Sequence, residues 1–117
     1  MAVPLNTFKS SFATLNAGPF AADSDEVYRC PNGITAIVLM AQCANVGSTT
    51  ETVTLKHKNI ITGEEIELIK DLRVLPSDAV GLITGKLIVE QNNRIVAEAS
   101  TGGTLKLSLS YLESLNG

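Results

Sequence analysis

The chain is predicted to fold as an all-β protein: an antiparallel β-sandwich or small jelly roll with an extended N-terminal arm. Apolar and polar residues alternate in several short segments. Turn signals rich in Gly, Pro and Asn separate these segments about every 8 to 12 residues, and no segment shows the period of an amphipathic helix. A chain of 117 residues is long enough to bury one core without disulfides or metal, so a single domain is expected.

Seven segments carry the strand signal. In the last of them every second residue from Leu105 to Tyr111 is apolar and the residues between are polar, which is typical of a half-buried strand. The turn signals include "PNG" at 31–33 and "QNN" at 91–93. The predicted strands are 26–30, 34–45, 51–57, 65–75, 85–90, 94–100 and 104–113.

The first 24 residues differ from the rest of the chain. Isolated apolar side chains stand among proline, glycine and small polar residues, so the segment is too apolar for a free linker and too broken for a core strand. We therefore predict an extended arm over residues 1–24, which docks on the surface of its own domain or of a neighbour. Residues 25–117 are predicted to form the β-sandwich domain.

The strand 34–45 has a surplus of apolar residues. Simple alternation places Val38 and Met40 on one face and Ile37 and Leu39 on the other, and neither face is polar at its centre. Antiparallel sheets usually leave one face to water, and each large side chain left exposed forgoes roughly 1.5–3 kcal/mol. Another subunit, the chain's own arm or bare solvent must therefore meet the second face. The predicted interface residues are Ile34, Ala36, Ile37, Val38, Leu39, Met40 and Ala41 of the strand and Leu5, Phe8 and Phe12 of the arm.

The composition disfavours several classes of function. The net charge is −3 and the nine basic residues are scattered, whereas binding to a nucleic-acid backbone needs a clustered basic surface. Polar residues, Gly and Pro interrupt the charge-free stretch 30–50 well short of the roughly 20 apolar residues that span a bilayer. We therefore expect neither a nucleic-acid partner nor a membrane partner.

No catalytic, cofactor or metal site is predicted, and the chain is expected not to be an enzyme. His57 is the only histidine, so the chain alone cannot supply a two-histidine metal site. It is expected to be a surface or strand-end histidine and not the base of a catalytic triad. Cys30 and Cys43 are too few for a four-thiolate site and too far apart for a CxxC pair. They are expected to be buried thiols, and one disulfide between them is the alternative.

Several stretches together resemble one family. They are "YRCPNGITAIVLMAQCAN" (28–45), "VLP" (74–76), "LITGKLIVE" (82–90), "AEAS" (97–100), "LKLSLSYLE" (105–113) and the start "MAVPLNTFK". In this combination the chain resembles small virion structural proteins of tailed bacteriophages, particularly those of marine cyanophages, over residues 26–113. It departs from them at "QNN", where members often have an acidic Gly-Asp type of turn.

The resemblance implies a non-enzymatic β-sandwich that assembles in several copies on a phage particle, after synthesis in the host cytoplasm. The first hypothesis is a capsid decoration or cement protein that associates with itself, as a trimer or similar closed ring, and with the major capsid protein. A neck, tail or fibre-attachment protein is an alternative within the same class. A carbohydrate-binding or other ligand-binding β-sandwich module is the alternative from a different class.

Overall fold

Every regular element that the structure describes is a β-strand. The computed structural model describes residues 6–15, 26–83, 85–100 and 103–116, and these ranges contain no helix. The predicted all-β fold is confirmed. The strands are β1 (Asn6–Thr14), β2 (Glu26–Arg29), β3 (Ile34–Asn45), β4 (Glu51–Lys58), β5 (Glu65–Val74), β6 (Ala79–Gly81), β7 (Leu87–Val89), β8 (Arg94–Ala99) and β9 (Leu105–Leu115).

The strands form two antiparallel sheets that pack as a β-sandwich. Sheet A has the order β1-β9-β3-β6, with β7 also paired to β3, and sheet B has the order β2-β8-β4-β5. β6 pairs with residues 42–44 of β3 and β7 pairs with residues 36–38, so the two are parts of one interrupted strand. Counted in that way, eight strands run 1-8-3-6 and 2-7-4-5, which is the strand order of a jelly roll.

The core lies between the two sheets and follows the alternation of the sequence. In β9 every second side chain from Leu105 to Glu113 is buried, and those between are more exposed. β8 and β4 face them from sheet B with the same period. The largest fully buried side chains include Leu15, Leu55, Ile95, Leu105, Leu107, Leu109, Val38, Val53, Val74 and Val89.

β3 contains a bulge that the sequence pattern does not reveal. Its register with β9 shifts between Val38 and Met40, so Leu39 is an extra residue. After the bulge the inward positions are Ala41 and Cys43, both buried, and Met40 turns to the outer face. The predicted alternation is therefore wrong beyond Val38, because one inserted residue reverses the faces of all that follow.

The predicted arm contains a strand of sheet A. β1 pairs with β9 along its whole length, and Leu15, directly after it, is buried. β1 extends the sheet at its edge and does not lie over the outer face of β3. Residues 1–5 and 16–25 lie outside the described residues, as does the predicted boundary between arm and domain.

Candidate interface on the outer face of sheet A

An apolar row crosses four strands on the outer face of sheet A. Phe8 of β1 lies opposite Leu112 of β9, Leu112 lies opposite Ile37 of β3, and Ile37 lies opposite Ile88 of β7. Side chains directly opposite each other on one face are close enough to contact. Phe8 is 75% exposed and Ile88 is 59% exposed, so the row is presented to the surroundings.

Two further residues of the bulge region extend this row. Met40 lies opposite Ser110, which shares the outer alternation of β9 with Leu112. Leu39 and Met40 are each 38% exposed, although both are large apolar residues in the middle of the longest strand. The bulge therefore adds apolar surface to the outer face of sheet A.

A shallow groove lies beside the row, toward the other end of β1. Its volume is about 330 Å³, and Phe12, which is 79% exposed, forms part of its lining. Small residues such as Ala44 and Ser108 also line it, which leaves room above the sheet. Among the described residues, those that line it are Phe12, Ala13, Thr14, Gln42, Ala44, Lys106, Leu107 and Ser108.

The outer face of sheet A is almost free of charge. Among the described strand residues that the register assigns to this face, Lys106 is the one charged residue, and its Nζ donates a hydrogen bond to Thr14 Oγ1 at 2.9 Å. The other polar positions are hydroxyls and one amide. They are Ser10, Thr14, Thr35, Gln42, Ser108, Ser110 and Ser114.

The outer face of sheet B has the opposite character. Lys58 of β4 lies opposite Arg94 on one side and Glu65 on the other, and Lys56 lies opposite Glu67. At the β2 edge Glu26 Oε1 lies 3.0 Å from Arg29 Nη2. Charges of both signs are thus present across this sheet, as on a surface that faces water.

A buried carboxylate connects β1 to the sandwich. Glu113 of β9 accepts a hydrogen bond from the Tyr28 hydroxyl at 2.6 Å, and its other oxygen lies 2.8 Å from Lys9 Nζ of β1. The Tyr28 and Tyr111 rings lie beside it with centroids 4.4 Å apart, and Ser11 Oγ donates to the Tyr111 hydroxyl. The cluster joins β2 of sheet B to β9 and β1 of sheet A.

The surroundings of Glu113 shift its pKa. Burial disfavours the charged carboxylate, but the hydrogen bonds from Lys9 and Tyr28 and the charge of Lys9 outweigh that effect, so the pKa of Glu113 is lowered. The same contacts raise the pKa of Lys9. Burial in turn raises the pKa of the Tyr28 hydroxyl, which remains a hydrogen-bond donor.

The predicted interface residues divide into three groups. Ala36, Val38 and Ala41 point into the chain's own core, and Ile34 packs against that core, so these four offer a partner little or no surface. Ile37, Leu39, Met40, Phe8 and Phe12 come together around the outer face of sheet A. Leu5 lies outside the described residues.

Two members of the row were not identified from the sequence. Leu112 falls on the polar alternation of β9, after Ser108 and Ser110, and that mismatch is the signal that identifies it. Ile88 belongs to a three-residue strand whose pattern is too short to assign a face.

Other kinds of site find less support in the described ranges. Within them no group of three or more His, Cys, Asp or Glu side chains is placed to hold a metal ion, and no helix is long and apolar enough to cross a membrane. Cys30 and Cys43 are both free and buried, as expected, and burial raises the pKa of the Cys43 thiol to about 11.

The chain was compared with known proteins, and no family model and no curated protein matches it significantly. The resemblance to phage virion proteins therefore stays a prediction, and the jelly-roll sandwich with one apolar and one charged outer face is what is established.

Proposed function

We propose that this chain is a non-enzymatic structural protein of a tailed-phage virion. In this role it decorates or cements the capsid shell, associating with copies of itself and with other virion proteins. The observation that carries the proposal is the contrast between the two outer faces of the sandwich. A module that attaches through one side needs one face that tolerates loss of water and another that remains solvated.

The outer face of sheet A has the properties of a face that tolerates loss of water. Its centre is apolar and nearly uncharged, and the cores of protein interfaces are similarly depleted of charged residues and enriched in aromatic residues. The outer face of sheet B carries interspersed charges that keep a bound module soluble. The phage setting comes from the sequence resemblance, and the mode of attachment comes from the two faces.

The proposal is tested on purified particles of a phage that encodes this chain. Quantitative mass spectrometry gives the copy number relative to the major capsid protein, and labelled antibodies locate the chain on the particle. Hundreds of copies spread over the shell support a decoration protein, while about a dozen or fewer, at one vertex, support the neck or tail alternative. Absence from washed particles would contradict any virion role.

One observation favours a ligand-binding module as a second candidate. Phe12 stands exposed beside a groove that also presents Gln42 and Lys106, and an aromatic ring beside hydrogen-bonding side chains is a common way to hold a sugar. A glycan array with the isolated protein tests this candidate. Specific binding that Phe12→Ser abolishes would favour it over attachment to a virion.

A further inference from the structure

The two phenylalanines of β1 leave most of their apolar surface exposed in the single chain. Phe8 and Phe12 are 75% and 79% exposed, and both lie on the outer side of the edge strand. Phe8 begins the row that ends at Ile88 on the far side of the sheet, and Phe12 lies opposite Ser108, beside the groove. A contiguous exposed apolar surface of this kind marks a site of interaction with another molecule.

The inner side of β1 does little to hold the strand in place. Thr7, Lys9 and Ser11 occupy inward positions that are partly or largely exposed, and Ala13 is only partly buried. Leu15, just beyond the strand, is the first fully buried apolar side chain. Beyond its backbone pairing with β9, β1 is held by the Lys9–Glu113 contact, by single hydrogen bonds of Ser11 and Thr14, and by the partly buried Ala13.

We propose that the outer face of sheet A packs against the same face of a second copy of this chain, forming a two-fold dimer, and that this packing holds β1 in place. The inference rests on the self-association in the proposed function and names the surface that produces it. In the dimer Phe8 and Phe12 are buried, so association stabilises the strand that carries them. Loss of β1 from its edge would in turn remove two of the largest side chains from the interface.

The scarcity of charge on the outer face of sheet A indicates which surface can pack against it. A partner must cover an apolar row flanked by hydroxyls without bringing an unpaired charge into contact with it, because burying such a charge is unfavourable. The outer face of sheet A meets that requirement itself, since Lys106 at one end is its one charged strand residue among those described. The outer face of sheet B, which carries Lys56, Lys58 and Glu67, would instead place charged side chains against the row.

The size of the face is sufficient for a dimer. β1, β9 and β3 have 9, 11 and 12 residues, and β6 and β7 have 3 each. At about 3.3 Å per residue and about 4.8 Å between strands they cover about 600 Å² per copy. Two such faces bury about 1,200 Å² in total, which is the lower end of the range for specific interfaces. The groove beside Phe12, floored by small side chains such as Ser108, provides space for an aromatic ring of the second copy.

The test uses the full chain and measures its mass by analytical ultracentrifugation across the micromolar range. The wild type is expected to show a monomer–dimer equilibrium. The double variant Phe8→Ser, Phe12→Ser is expected to raise the dissociation constant at least about 100-fold, because each buried aromatic anchor counts twice in a two-fold interface. The matched control is Ile61→Ser, Ile66→Ser, which removes two exposed apolar side chains from elsewhere and is expected to leave the dimer unchanged.

A second variant excludes a loss of fold as the cause. Ser10→Lys places a charge between the two phenylalanines at an exposed position, so the circular dichroism spectrum is expected to be unchanged while dimerisation is lost. Ser48→Lys, in the exposed loop after β3, is its control. A monomeric or trimeric wild type, or a dimer that Ser10→Lys leaves intact, would overturn the inference. None of these outcomes bears on whether the chain is present in virions, which the copy-number experiment decides.

Hydrogen exchange tests the link to β1. The amides of residues 6–14 are expected to exchange faster as the protein is diluted below its dissociation constant, while those of β8 stay protected at every concentration. Protection of β1 that does not change with dilution would contradict the coupling.

Discussion

The outer faces of the two sheets cover the same core and yet are built from different residues. On sheet A the register brings Phe8, Leu112 and Ile37 into one row, whereas on sheet B it brings Lys56 opposite Glu67. The core needs neither pattern, since the inward residues of both sheets are mostly apolar and recur at every second position. In the proposed function this difference reflects what each face meets outside the chain: another protein surface for sheet A and water for sheet B.

The largest expected effect comes from comparing two leucines of β9 that lie three residues apart, one in the core and one on the outer face. Leu109 is buried in the core and Leu112 belongs to the outer row. Leu109→Ala is expected to lower the free energy of unfolding by about 2–5 kcal/mol, because it leaves a cavity. Leu112→Ala is expected to cost less than about 1 kcal/mol in the monomer.

Urea denaturation at a concentration where the protein is monomeric measures both values. Equal losses of unfolding free energy for the two variants would show that the outer row stabilises the monomer as much as the core does. The contrast between the two outer faces would then not indicate a binding surface. Dimerisation provides the complementary readout, because Leu112→Ala is expected to weaken it.

The second test concerns a buried polar contact that joins the two sheets. The Tyr28 hydroxyl of sheet B donates to Glu113 of sheet A in a buried position. Tyr28→Phe keeps the ring contact with Tyr111 and removes a hydrogen bond to a charged group, so a loss of about 1.5–3 kcal/mol is expected. Thermal unfolding measures the loss, and Ser11→Ala, which removes only the partly buried hydrogen-bond partner of Tyr111, is the control.

Tyr28→Phe also bears on β1. With one hydrogen bond fewer, Glu113 depends more on Lys9, so β1 is expected to remain protected from hydrogen exchange while global stability falls. If β1 loses its protection before the rest of the sandwich, the Tyr28 contact holds the edge strand of sheet A and not only the joint between the sheets.

A third test gives sheet B the character of sheet A. Lys56→Leu together with Glu67→Leu replaces a cross-strand pair of exposed charges by apolar residues beside Val96, which already lies opposite Lys56. Stability is expected to change by less than about 1 kcal/mol, since such surface pairs contribute little. Sedimentation is expected to show new self-association at high concentration. If the double variant associates no more than the wild type, an apolar row on a sheet face is not sufficient for self-association.

The sequence was sufficient to predict the strands whose inward side chains form the core. β3 matches its predicted range, and β9 begins within a residue of it, because regular alternation and the turns between strands are local properties. The sequence of β1 predicts an arm because isolated apolar residues stand among proline, glycine and small polar residues. In the structure its phenylalanines face outward and its inward positions are largely polar. Its place in the sheet depends on pairing with a segment about 100 residues away, which no local pattern encodes.

The candidate site was predicted only in part, for a related reason. The run from Ile37 to Ala41 correctly indicated a strand with apolar residues on both sides, but it did not show which residues face outward. The bulge at Leu39 arises where β3 pairs with β9, and it places Met40 beside Ile37 on the outer face. The interface is therefore assembled from four strands, and the sequence pointed to two of the segments that contribute to it.

The smallest expected effect is a difference in the pH at which each sheet loses part of its contribution to the free energy of unfolding. Two inward groups with shifted pKa values titrate below neutral pH: Glu113 in sheet A and His57 in sheet B. Burial lowers the pKa of His57 below its ordinary 6.5, with Glu90 acting in the opposite direction, and its Nε2 is buried without a hydrogen-bond partner. The pKa of Glu113 lies below its ordinary 4.5.

In both cases the unfolded chain binds the proton more readily than the folded chain, so acid destabilises the fold in both windows. The contribution of His57 is complete above pH 6.5 and is lost as the pH falls below that value. That of Glu113 is complete above pH 4.5 and is lost as the pH falls through its folded pKa. The unfolding free energy is therefore expected to decline in two steps on acidification, a shallow one from sheet B and then one from sheet A.

Matched amide variants assign the steps. His57→Gln is expected to flatten the decline just below pH 6.5 and to leave the lower one, and Glu113→Gln is expected to do the reverse. Urea titrations at closely spaced pH values measure both. If a single variant removes both steps, the two groups titrate as one coupled unit across the core, and the sheets respond to acid together despite their different outer faces.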